Sequence, residues 1–535
     1  MSGNLAGTRK LIRLILRRDR ILLPLWVLWM SLAPVNFVSM TKDLFPTAAD
    51  RHEYADTSGS DPAFLALFGP LHSDSLGGIV TQRLGLVPVI VALISILTVI
   101  RHTRTEEENG RRELLGATVM GRHAPLAAAL TVTITANLVL ALIMTAGLSG
   151  KGQPGGASFA LAMQFAICGC VFAAVAAVAA QVTEGAGAAR GVAIGTLGVA
   201  YLLRLAGDAG GNGNALAWLS WLSPVGWAQQ LRPFADERWW ILLPAAALAA
   251  LLIAAAFRLS ARRDLGAGLV AARLGPETAA PSLSGPFGLA WRIHRGMLLA
   301  WIAGLAVLGA VFGGLAKGVG DALRDNADLK DAFTRLGGEA TLVDTFLASG
   351  MSIVGLIASG YAVLTTLRLR SEEEKLRAEH VLTTPVPRLR WAAGHLLFAF
   401  LGTTAAVAAA GLAAGLVHGL NSGDLGRQLP RILGGALVQL PAVWTLAAIT
   451  VAAFGLLPRL AAALGWGALV LFLFLGQFGA LMGMSQRALD LSPFTHIPKL
   501  PGGDVSAAPL LWLTALTAAL VALGLGGFRR RDYTT

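Results

Sequence analysis

The chain has 535 residues, of which 55% are hydrophobic and only 14% are charged, and its mean hydropathy is +0.63. These values exclude an ordinary soluble protein and indicate a chain that lies mostly within a membrane. A net charge of +12 can also indicate nucleic-acid binding. Here the basic residues cluster beside apolar runs, as membrane topology requires, so we predict no nucleic-acid partner.

Apolar runs of about 20 residues are long enough to cross a hydrocarbon core of about 30 Å. The sequence contains twelve such runs, which predict an all-α polytopic membrane protein with twelve transmembrane helices. No signal-peptide cleavage site follows the first run, so we expect it to remain as a span. The predicted spans are 21–40, 84–100, 124–148, 158–182, 191–205, 239–257, 296–316, 351–367, 392–417, 431–454, 461–484 and 509–528.

The distribution of Lys and Arg sets the predicted orientation. If both termini are cytoplasmic, the cytoplasmic segments hold 28 of the 43 basic residues. Because basic residues beside spans favour the cytoplasm, we predict a multi-pass plasma-membrane protein with both termini inside. Its predicted parts are a cytoplasmic helix at 1–20, a first six-span half at 21–257, a cytoplasmic linker at 258–295, a second six-span half at 296–528 and a cytoplasmic tail at 529–535.

The segment before the first span is amphipathic. Leu11, Ile12 and Ile15 share one helical face, while Arg9 and Arg13 lie on another. This pattern is typical of a helix that lies on an anionic membrane surface. The alternative is a basic cluster that only orients the first span.

Two charged segments of 19 residues repeat one another, after the second and after the eighth predicted span. Residues 104–122 read RTEEENGRRELLGATVMGR, residues 370–388 read RSEEEKLRAEHVLTTPVPR, and 8 of the 19 positions are identical. A second, shorter repeat, WLSP at 221–224 and DLSP at 490–493, lies between the fifth and sixth spans of each half. The repeats predict two parallel six-helix copies related by a pseudo-twofold axis along the membrane normal.

Each charged segment is predicted to form a short helix, at 104–118 and at 370–384. Thr105 with Glu108, and Ser371 with Glu374, match the capping box that begins a helix. We also expect stabilising Glu–Arg pairs four residues apart, in the favourable order. These pairs are Glu107 with Arg111, Glu108 with Arg112 and Glu373 with Arg377.

The charged segments have two interpretations. A solvated loop would satisfy the topology, but it does not explain three consecutive glutamates, since acidic residues contribute little to topology. We therefore favour a surface on which another protein docks.

Tryptophans crowd the predicted outer segment before the sixth span. The stretch WLSWLSPVGWAQQL at 218–231 is too apolar for a solvated loop and too interrupted for a further span. We predict re-entrant or interfacial outer helices here. The alternative is an aromatic belt at the membrane surface.

No metal site or enzymatic site is indicated by the sequence. The histidines and the two cysteines, Cys168 and Cys170, lack the spacings of metal ligands. The phosphate-binding motif of ATPases is also not found, since GLSGKGQ at 147–153 lacks its spacing. We predict that this chain holds no cofactor and is not an enzyme.

The two six-span halves, the large outer loop after the first span and the glutamate-rich segment after the second resemble those of type-2 ABC exporter permeases. The chain is most similar to the fused twelve-span actinobacterial form, described as polyketide-antibiotic (tetronasin-like) exporters. The resemblance implies multidrug efflux by alternating access, in which amphipathic or hydrophobic compounds such as antibiotics leave the cell. It also implies two copies of a separate nucleotide-binding ATPase subunit, which would hold ATP and Mg²⁺.

In that family the helix between the second and third spans is a coupling helix that docks on the ATPase. The resemblance assigns this role to Glu106, Glu107, Glu108, Arg111 and Glu113 in the first half, and to Glu372, Glu373, Glu374, Arg377 and Glu379 in the second.

The resemblance also implies a substrate pathway lined by the second, fifth, eighth and eleventh spans. Drug sites combine apolar walls with a few polar groups, and such faces occur on these spans. The polar residues could instead join helices by hydrogen bonds, and the phenylalanines could face lipid. The predicted pathway residues are Ser95, Thr98, Tyr201, Ser352, Ser359, Phe474, Gln477 and Phe478.

A secondary carrier of the major facilitator type is the alternative function, since it also has twelve spans in two parallel halves. Proton-coupled carriers usually place carboxylates at membrane depth, whereas the predicted spans contain no Asp or Glu. A uniporter moves no proton and needs no such carboxylate, so this argument does not exclude a carrier of that kind.

Overall fold

The structure is a computed structural model that describes residues 2–56, 65, 68–112, 119–208, 216–264, 266–270, 277–278, 280–283, 285–324, 339–476, 485–503 and 506–531. Within these ranges the regular structure consists of α-helices and short 3-10 helices, without strands. The chain divides into two compact units, Met1–Gly275 and Pro276–Thr535.

In the described part of the first unit, six helices are long and apolar enough to cross a membrane. Its helices are α1 (Thr8–Arg18), α2 (Leu22–Leu44), α3 (Ala48–Asp56), α4 (Leu76–Arg83), α5 (Val87–His102), α6 (Arg104–Glu108), α7 (Ala124–Gly150), α8 (Gly155–Val182), α9 (Ala186–Asp208), α10 (Pro224–Gln230) and α11 (Leu242–Arg262).

Helix α8 is the most buried span of the first unit, and small residues let its neighbours approach closely. A Cβ added at Gly169 would lie 2.1 Å from Oδ1 of Asn137 on α7. The same Asn137 donates a hydrogen bond to Oγ of Ser95 on α5 at 3.0 Å. Small contact residues and interhelical hydrogen bonds are the usual means of packing helices in membranes.

In the described part of the second unit, five helical stretches are long and apolar enough to cross a membrane, one of them being the helices Leu425–Leu437 and Leu440–Leu456 taken together as Leu425–Leu456. Its helices are α12 (Pro286–Arg324), α13 (Glu339–Glu374), α14 (Arg377–Leu382), α15 (Arg388–Ser422), α16 (Leu425–Leu437), α17 (Leu440–Leu456), α18 (Ala461–Phe474), α19 (Gln486–Leu489) and α20 (Ala507–Arg530).

Glycines one turn apart bring α12 against α15. A Cβ at Gly309 would lie 2.1 Å from the carbonyl oxygen of Ala410, and one at Gly313 would lie 2.3 Å from that of Ala414. Larger residues at these two positions would push the helices apart.

The tenth apolar segment is divided into α16 and α17 at Val438 and Gln439. Pro441 lies in the first turn of α17 and has no N–H with which to continue the hydrogen-bond ladder of α16. This break places the side chain of Gln439 between two helical segments.

The polytopic all-α membrane architecture is confirmed, since eleven helices among the described residues can span a membrane by length and composition. The predicted span at 461–484 corresponds to a shorter apolar helix, Pro458–Phe474, and residues 477–484 lie outside the described ranges. The arrangement as twelve spans in a parallel repeat stays a prediction.

Several helices extend beyond the predicted spans. The fifth, predicted at 191–205, covers Ala186–Asp208, so its last turn contains an aspartate, which pairs with Arg204 at 2.8 Å. Helices α11 and α12 extend into the predicted linker 258–295, and α20 extends into the predicted tail. Hydropathy locates only the apolar centre of a helix, whereas Arg is a good helix former and continues it.

The apolar face of α1 packs against protein. Leu11 and Ile15 are buried in a cluster with Ala124, Ala128 and Val132 of α7. The prediction that this face lies on the membrane surface is therefore wrong for these two side chains, because the start of α7 offers an apolar face of small residues.

The tryptophan-rich segment, which is predicted to be outer, forms short helices at Ala217–Leu222, in α10 and at Trp239–Ile241. Ser223 caps α10, because its Oγ accepts hydrogen bonds from backbone N–H groups of the first turn. In the second unit Ser492 is likewise buried and extended, and precedes the 3-10 helix Pro493–His496. Unlike Ser223, Ser492 makes no side-chain cap bond, so the repeated motif shares a buried, extended serine before a helical turn but not the cap.

Candidate functional site

The helices of the two repeated charged segments begin and end at residues that differ from the prediction. In the first unit α6 covers only Arg104–Glu108 of the predicted helix 104–118, of which 113–118 lie outside the described residues. In the second unit α13 runs unbroken to Glu374 and α14 follows. Neither Thr105 nor Ser371 caps a helix, because each lies within a helical turn that already occupies its backbone groups. The predicted capping boxes are wrong.

A residue with left-handed backbone follows the glutamates at the same aligned position in both segments. Gly110 has a φ of 70° and Leu376 a φ of 57°. The turn shifts every predicted Glu–Arg pair by one residue, so the predicted pairs, which assumed an unbroken helix, are wrong. The observed pairs are Arg111 with Glu106 at 3.2 Å, Arg112 with Glu107 at 3.0 Å and Arg377 with Glu372 at 3.7 Å.

In the first unit, three guanidinium groups surround the carboxylate of Glu107. Arg104 lies 2.8 Å from it and Arg112 3.0 Å, while Arg263 donates to both oxygens, at 3.0 and 2.9 Å. The backbone N–H of Gly266 adds a bond at 3.1 Å. Burial lowers the pKa of Arg112, and the charge of Glu107 opposes that shift. We call this cluster of Glu107 and three arginines the first clamp.

In the second unit, Glu373 is held by Arg531, which donates to both carboxylate oxygens at 2.5 and 2.7 Å. Arg370 lies 3.6 Å away. The guanidinium of Arg531 also lies over Phe454, 4.7 Å from the ring centroid, and over Phe528 at 5.3 Å. Both bonds to Glu373 come from the same nitrogen, Nη2, so the feature that favours Arg over Lys here is the cation–π contact. We call Glu373, Arg370 and Arg531 the second clamp.

The two clamps join equivalent parts of their units. Each connects the segment after the unit's second span to the arginine that follows its last helix, α11 or α20. A further arginine, at or just before the start of α7 or α15, donates to the backbone carbonyl of the clamp arginine. These bonds run from Arg122 to Arg263 and from Arg388 to Arg531.

The predicted coupling residues fall into two groups. Glu107 and Glu373 are buried, with side chains 4% and 7% exposed, and Glu106 and Glu372 are bonded to arginines of their own unit. Glu113 lies outside the described residues. The exposed members are Glu108, Arg111, Glu374, Arg377 and Glu379.

Most predicted pathway residues that the structure describes make contacts inside one unit. Ser95 accepts a hydrogen bond from Asn137, as described above. The hydroxyl of Thr98 donates to the carbonyl of Ile94 at 2.8 Å, and that of Ser359 donates to the carbonyl of Gly355 at 3.0 Å. Such bonds satisfy hydroxyls within a helix.

The remaining pathway residues have varied surroundings. Tyr201 lies beneath the guanidinium of Arg204, 5.6 Å from the ring centroid, and Phe474 is 40% exposed at the end of α18. Gln477 and Phe478 lie outside the described residues. Ser352 lines a cavity of about 640 Å³ in the second unit, between α13, α18, Gln439 in the break before α17, and the segment 494–503.

Sequence reasoning missed three residues of these sites. Arg263 and Arg531 enter the sequence analysis only through the count of basic residues beside spans, although the triplet Arg-Arg-Asp at 262–264 recurs at 530–532. That repeat is the signal that could have found them. Gln439 gave no signal, because its role follows from the break between α16 and α17.

Two compact helical units with equivalent clamps, together with eleven potential spans in the described residues, define a polytopic membrane protein of duplicated design. The sequence profile described as "Multidrug efflux system permease Rv1217c, C-terminal domain" matches residues 9–259 and 283–529, one stretch in each unit. The chain is 47% identical over 528 residues to the multidrug efflux system permease protein Rv1217c of Mycobacterium tuberculosis (strain ATCC 25618 / H37Rv), covering 98% of this chain and 95% of the relative.

The chain therefore belongs to the Rv1217c family of multidrug efflux system permeases. This membership supports a transport subunit rather than an enzyme, and it does not favour a carrier of the major facilitator type.

Proposed function

We propose that the chain is the transmembrane permease of an ATP-driven ABC exporter that expels amphipathic or hydrophobic compounds across the plasma membrane. The observation that carries the proposal is the duplicated charged segment, clamped in each unit to the end of the last span. ATP and Mg²⁺ would bind to two copies of a separate ATPase subunit, one for each segment. The resemblance to polyketide-antibiotic exporters makes such antibiotics expected substrates beside other amphipathic compounds.

The exposed and buried residues of the segments have different proposed roles. Exposed groups such as Arg111 and Glu374, whose side chains are 53% and 57% exposed, are available to an ATPase. The buried Glu107 and Glu373 tie the same segments to the last spans. A displacement of the docking surface would therefore reach a transmembrane helix through the clamp, as alternating access requires.

The energy source is the first test. Efflux of ethidium would be measured in cells that express the chain together with a candidate ATPase subunit. We expect efflux to stop when the phosphate-binding lysine of that ATPase is replaced by alanine, and to continue when a protonophore collapses the proton gradient while ATP is maintained. The opposite pattern would support the carrier.

Docking is tested by reversing charge only at exposed positions. We expect Arg111→Glu combined with Glu374→Arg to prevent co-purification of the ATPase that supports efflux, because like charges at an interface are strongly disfavoured. The matched control is Asp43→Lys, which reverses an exposed charge at the C-terminal end of α2, outside both charged segments. Undiminished co-purification and efflux in the double variant would contradict docking at these segments.

The proposed orientation has its own test. In a chain with Cys168→Ala and Cys170→Ala, a cysteine introduced at the exposed Ala48 should react with a membrane-impermeant maleimide in intact cells. A cysteine introduced at the exposed Asn109 should react only after permeabilisation. Labelling of Asn109→Cys alone in intact cells would reverse the orientation.

A further inference from the structure

The cavity in the second unit contains a buried amide oxygen without a partner. Gln439 lines the cavity and is only 3% exposed. Among the described residues, none donates a hydrogen bond to its Oε1 atom. Because an unpaired buried acceptor costs free energy, each such group in a native structure calls for an explanation.

Helix α13 makes room for this amide. A Cβ at Gly355 would lie 2.9 Å from Cβ of Gln439 and 3.4 Å from its Oε1. The nearby hydroxyl of Ser359 donates to the carbonyl of Gly355. The close approach of α13 therefore seats Gln439 at the cavity wall while the neighbouring hydroxyl is engaged elsewhere.

The cavity suits an organic molecule better than water alone. Its volume of about 640 Å³ is within the range of about 300–1,000 Å³ that is usual for small-molecule sites. The aromatic rings of Phe472 and Phe494, with Ile353 and Leu356, supply apolar walls. The lining also includes the polar residues Thr345, Ser349, Ser352, Gln486 and Thr495, which can hold water beside a ligand.

One side of the cavity carries a positive charge. Lys499 is exposed and is the only charged residue among the described residues of the lining. The nearby carboxylate of Asp344 is already paired with Arg431 at 2.7 Å, and Arg431 also donates to the carbonyl of Pro501 at 3.3 Å. That pair fixes the outer segment against α13 and α16 rather than neutralising the lysine.

We propose that this cavity is a binding site for neutral or anionic amphipathic compounds. The Oε1 atom of Gln439 accepts a hydrogen bond from a hydroxyl or N–H of the ligand, Phe472 and Phe494 hold its apolar body, and Lys499 attracts an acidic group. The inference rests on the proposed function only in taking these ligands to be exported compounds. Binding itself requires no nucleotide and no ATPase.

The test uses 1-anilinonaphthalene-8-sulfonate, which combines an aromatic body, an N–H donor and a sulfonate. The full chain is placed in phosphatidylcholine nanodiscs without nucleotide or ATPase, and energy transfer from its tryptophans to the dye is titrated. Empty nanodiscs give the lipid background. We expect a saturable component in the protein sample.

Gln439→Leu and Lys499→Gln should each raise the dissociation constant of the dye about threefold to tenfold, as expected for one hydrogen bond or one partly solvated charge. Ser352→Trp should abolish the saturable component by filling the cavity. Arg487→Gln, an exposed charge removal on the nearby α19, should leave binding unchanged.

Lys499→Gln changes an exposed residue, so it keeps the test decisive even if Gln439→Leu misfolds. A signal no greater than that of empty nanodiscs, or saturable binding that none of the variants alters, would overturn the site. Neither result would bear on the energy source, which the ATPase-lysine experiment decides separately.

Discussion

The two clamps hold equivalent glutamates by different means. Around Glu107 the partners Arg104, Arg263 and Arg112 have side chains only 1%, 5% and 16% exposed. Around Glu373 the two arginines are 18% and 20% exposed. The first clamp is therefore a buried group of three guanidinium groups around one carboxylate. The second is a somewhat more exposed group of two guanidinium groups around one carboxylate, with aromatic rings beneath Arg531.

The difference shows that the connection between elements is repeated while its chemistry varies. In the first unit, the segment after Arg263 continues along α8, where the N–H groups of Leu269 and Val270 donate to the carbonyls of Gln181 and Val182. In the second unit, the clamp arginine lies over two phenylalanine rings instead. We therefore expect the two clamps to contribute unequally to stability, although they connect equivalent elements.

The largest expected effect comes from removing the central carboxylates. Glu107→Ala leaves three clustered guanidinium groups without their counter-ion and should destabilise the protein by about 3–5 kcal/mol, as for one partner of a buried ion pair. Glu373→Ala should cost roughly half as much, because its arginines reach solvent and aromatic rings. Thermal unfolding midpoints of the purified chain in nanodiscs would rank the two variants.

The matched control is Glu108→Ala, which removes the neighbouring exposed carboxylate. It loses the hydrogen bond to the N–H of Ala186 at the start of α9, worth about 1 kcal/mol as a helix cap. Equal melting shifts for Glu107→Ala and Glu373→Ala would remove the distinction between the clamps.

A smaller effect is expected from changing the kind of cation in the second clamp. Arg531→Lys keeps the charge and a nitrogen that can donate to Glu373, as Nη2 of Arg531 does, but it loses the planar guanidinium that lies over Phe454 and Phe528. We expect a cost of about 1 kcal/mol from the weaker cation–π contact. Arg529→Lys, at an exposed position two residues earlier, is the control. A melting point unchanged in Arg531→Lys would show that charge alone suffices.

The sequence predicted the glutamates of the two clamps but not the arginines that bind them. Duplication drew attention to Glu107 and Glu373 because repeated charge stands out in an apolar chain. Their partners Arg263 and Arg531 lie 156 and 158 residues further along, and positive charge after a last span has a sufficient topological explanation. Helix packing determines which of several arginines contacts a given glutamate, and the periodicity of the sequence does not encode that packing.

The fold likewise has features that the sequence predicted and features that it did not. Apolar length predicted the long helices, because the hydrocarbon thickness sets a minimum that can be counted. It did not predict the break before α17 or the continuation of α13 to Glu374. In the first case a proline removes one donor, and in the second, charged residues that form helices well extend a span beyond its apolar part.

The smallest expected effect concerns the left-handed turn that both segments share. Gly110→Ala meets no atom within 4 Å of the new Cβ, so its cost is purely conformational, about 1 kcal/mol. At the aligned position Leu376→Gly relieves the same strain but gives the unfolded chain more freedom, and the two effects should cancel to within about 0.5 kcal/mol. The control is Gly187→Ala on α9, where the surroundings are equally open but the backbone is helical. Alanine should be neutral or slightly stabilising there.

Melting points of the three variants test the cost of the left-handed turn. A Gly110→Ala variant as stable as Gly187→Ala would show that the first segment does not need the left-handed turn.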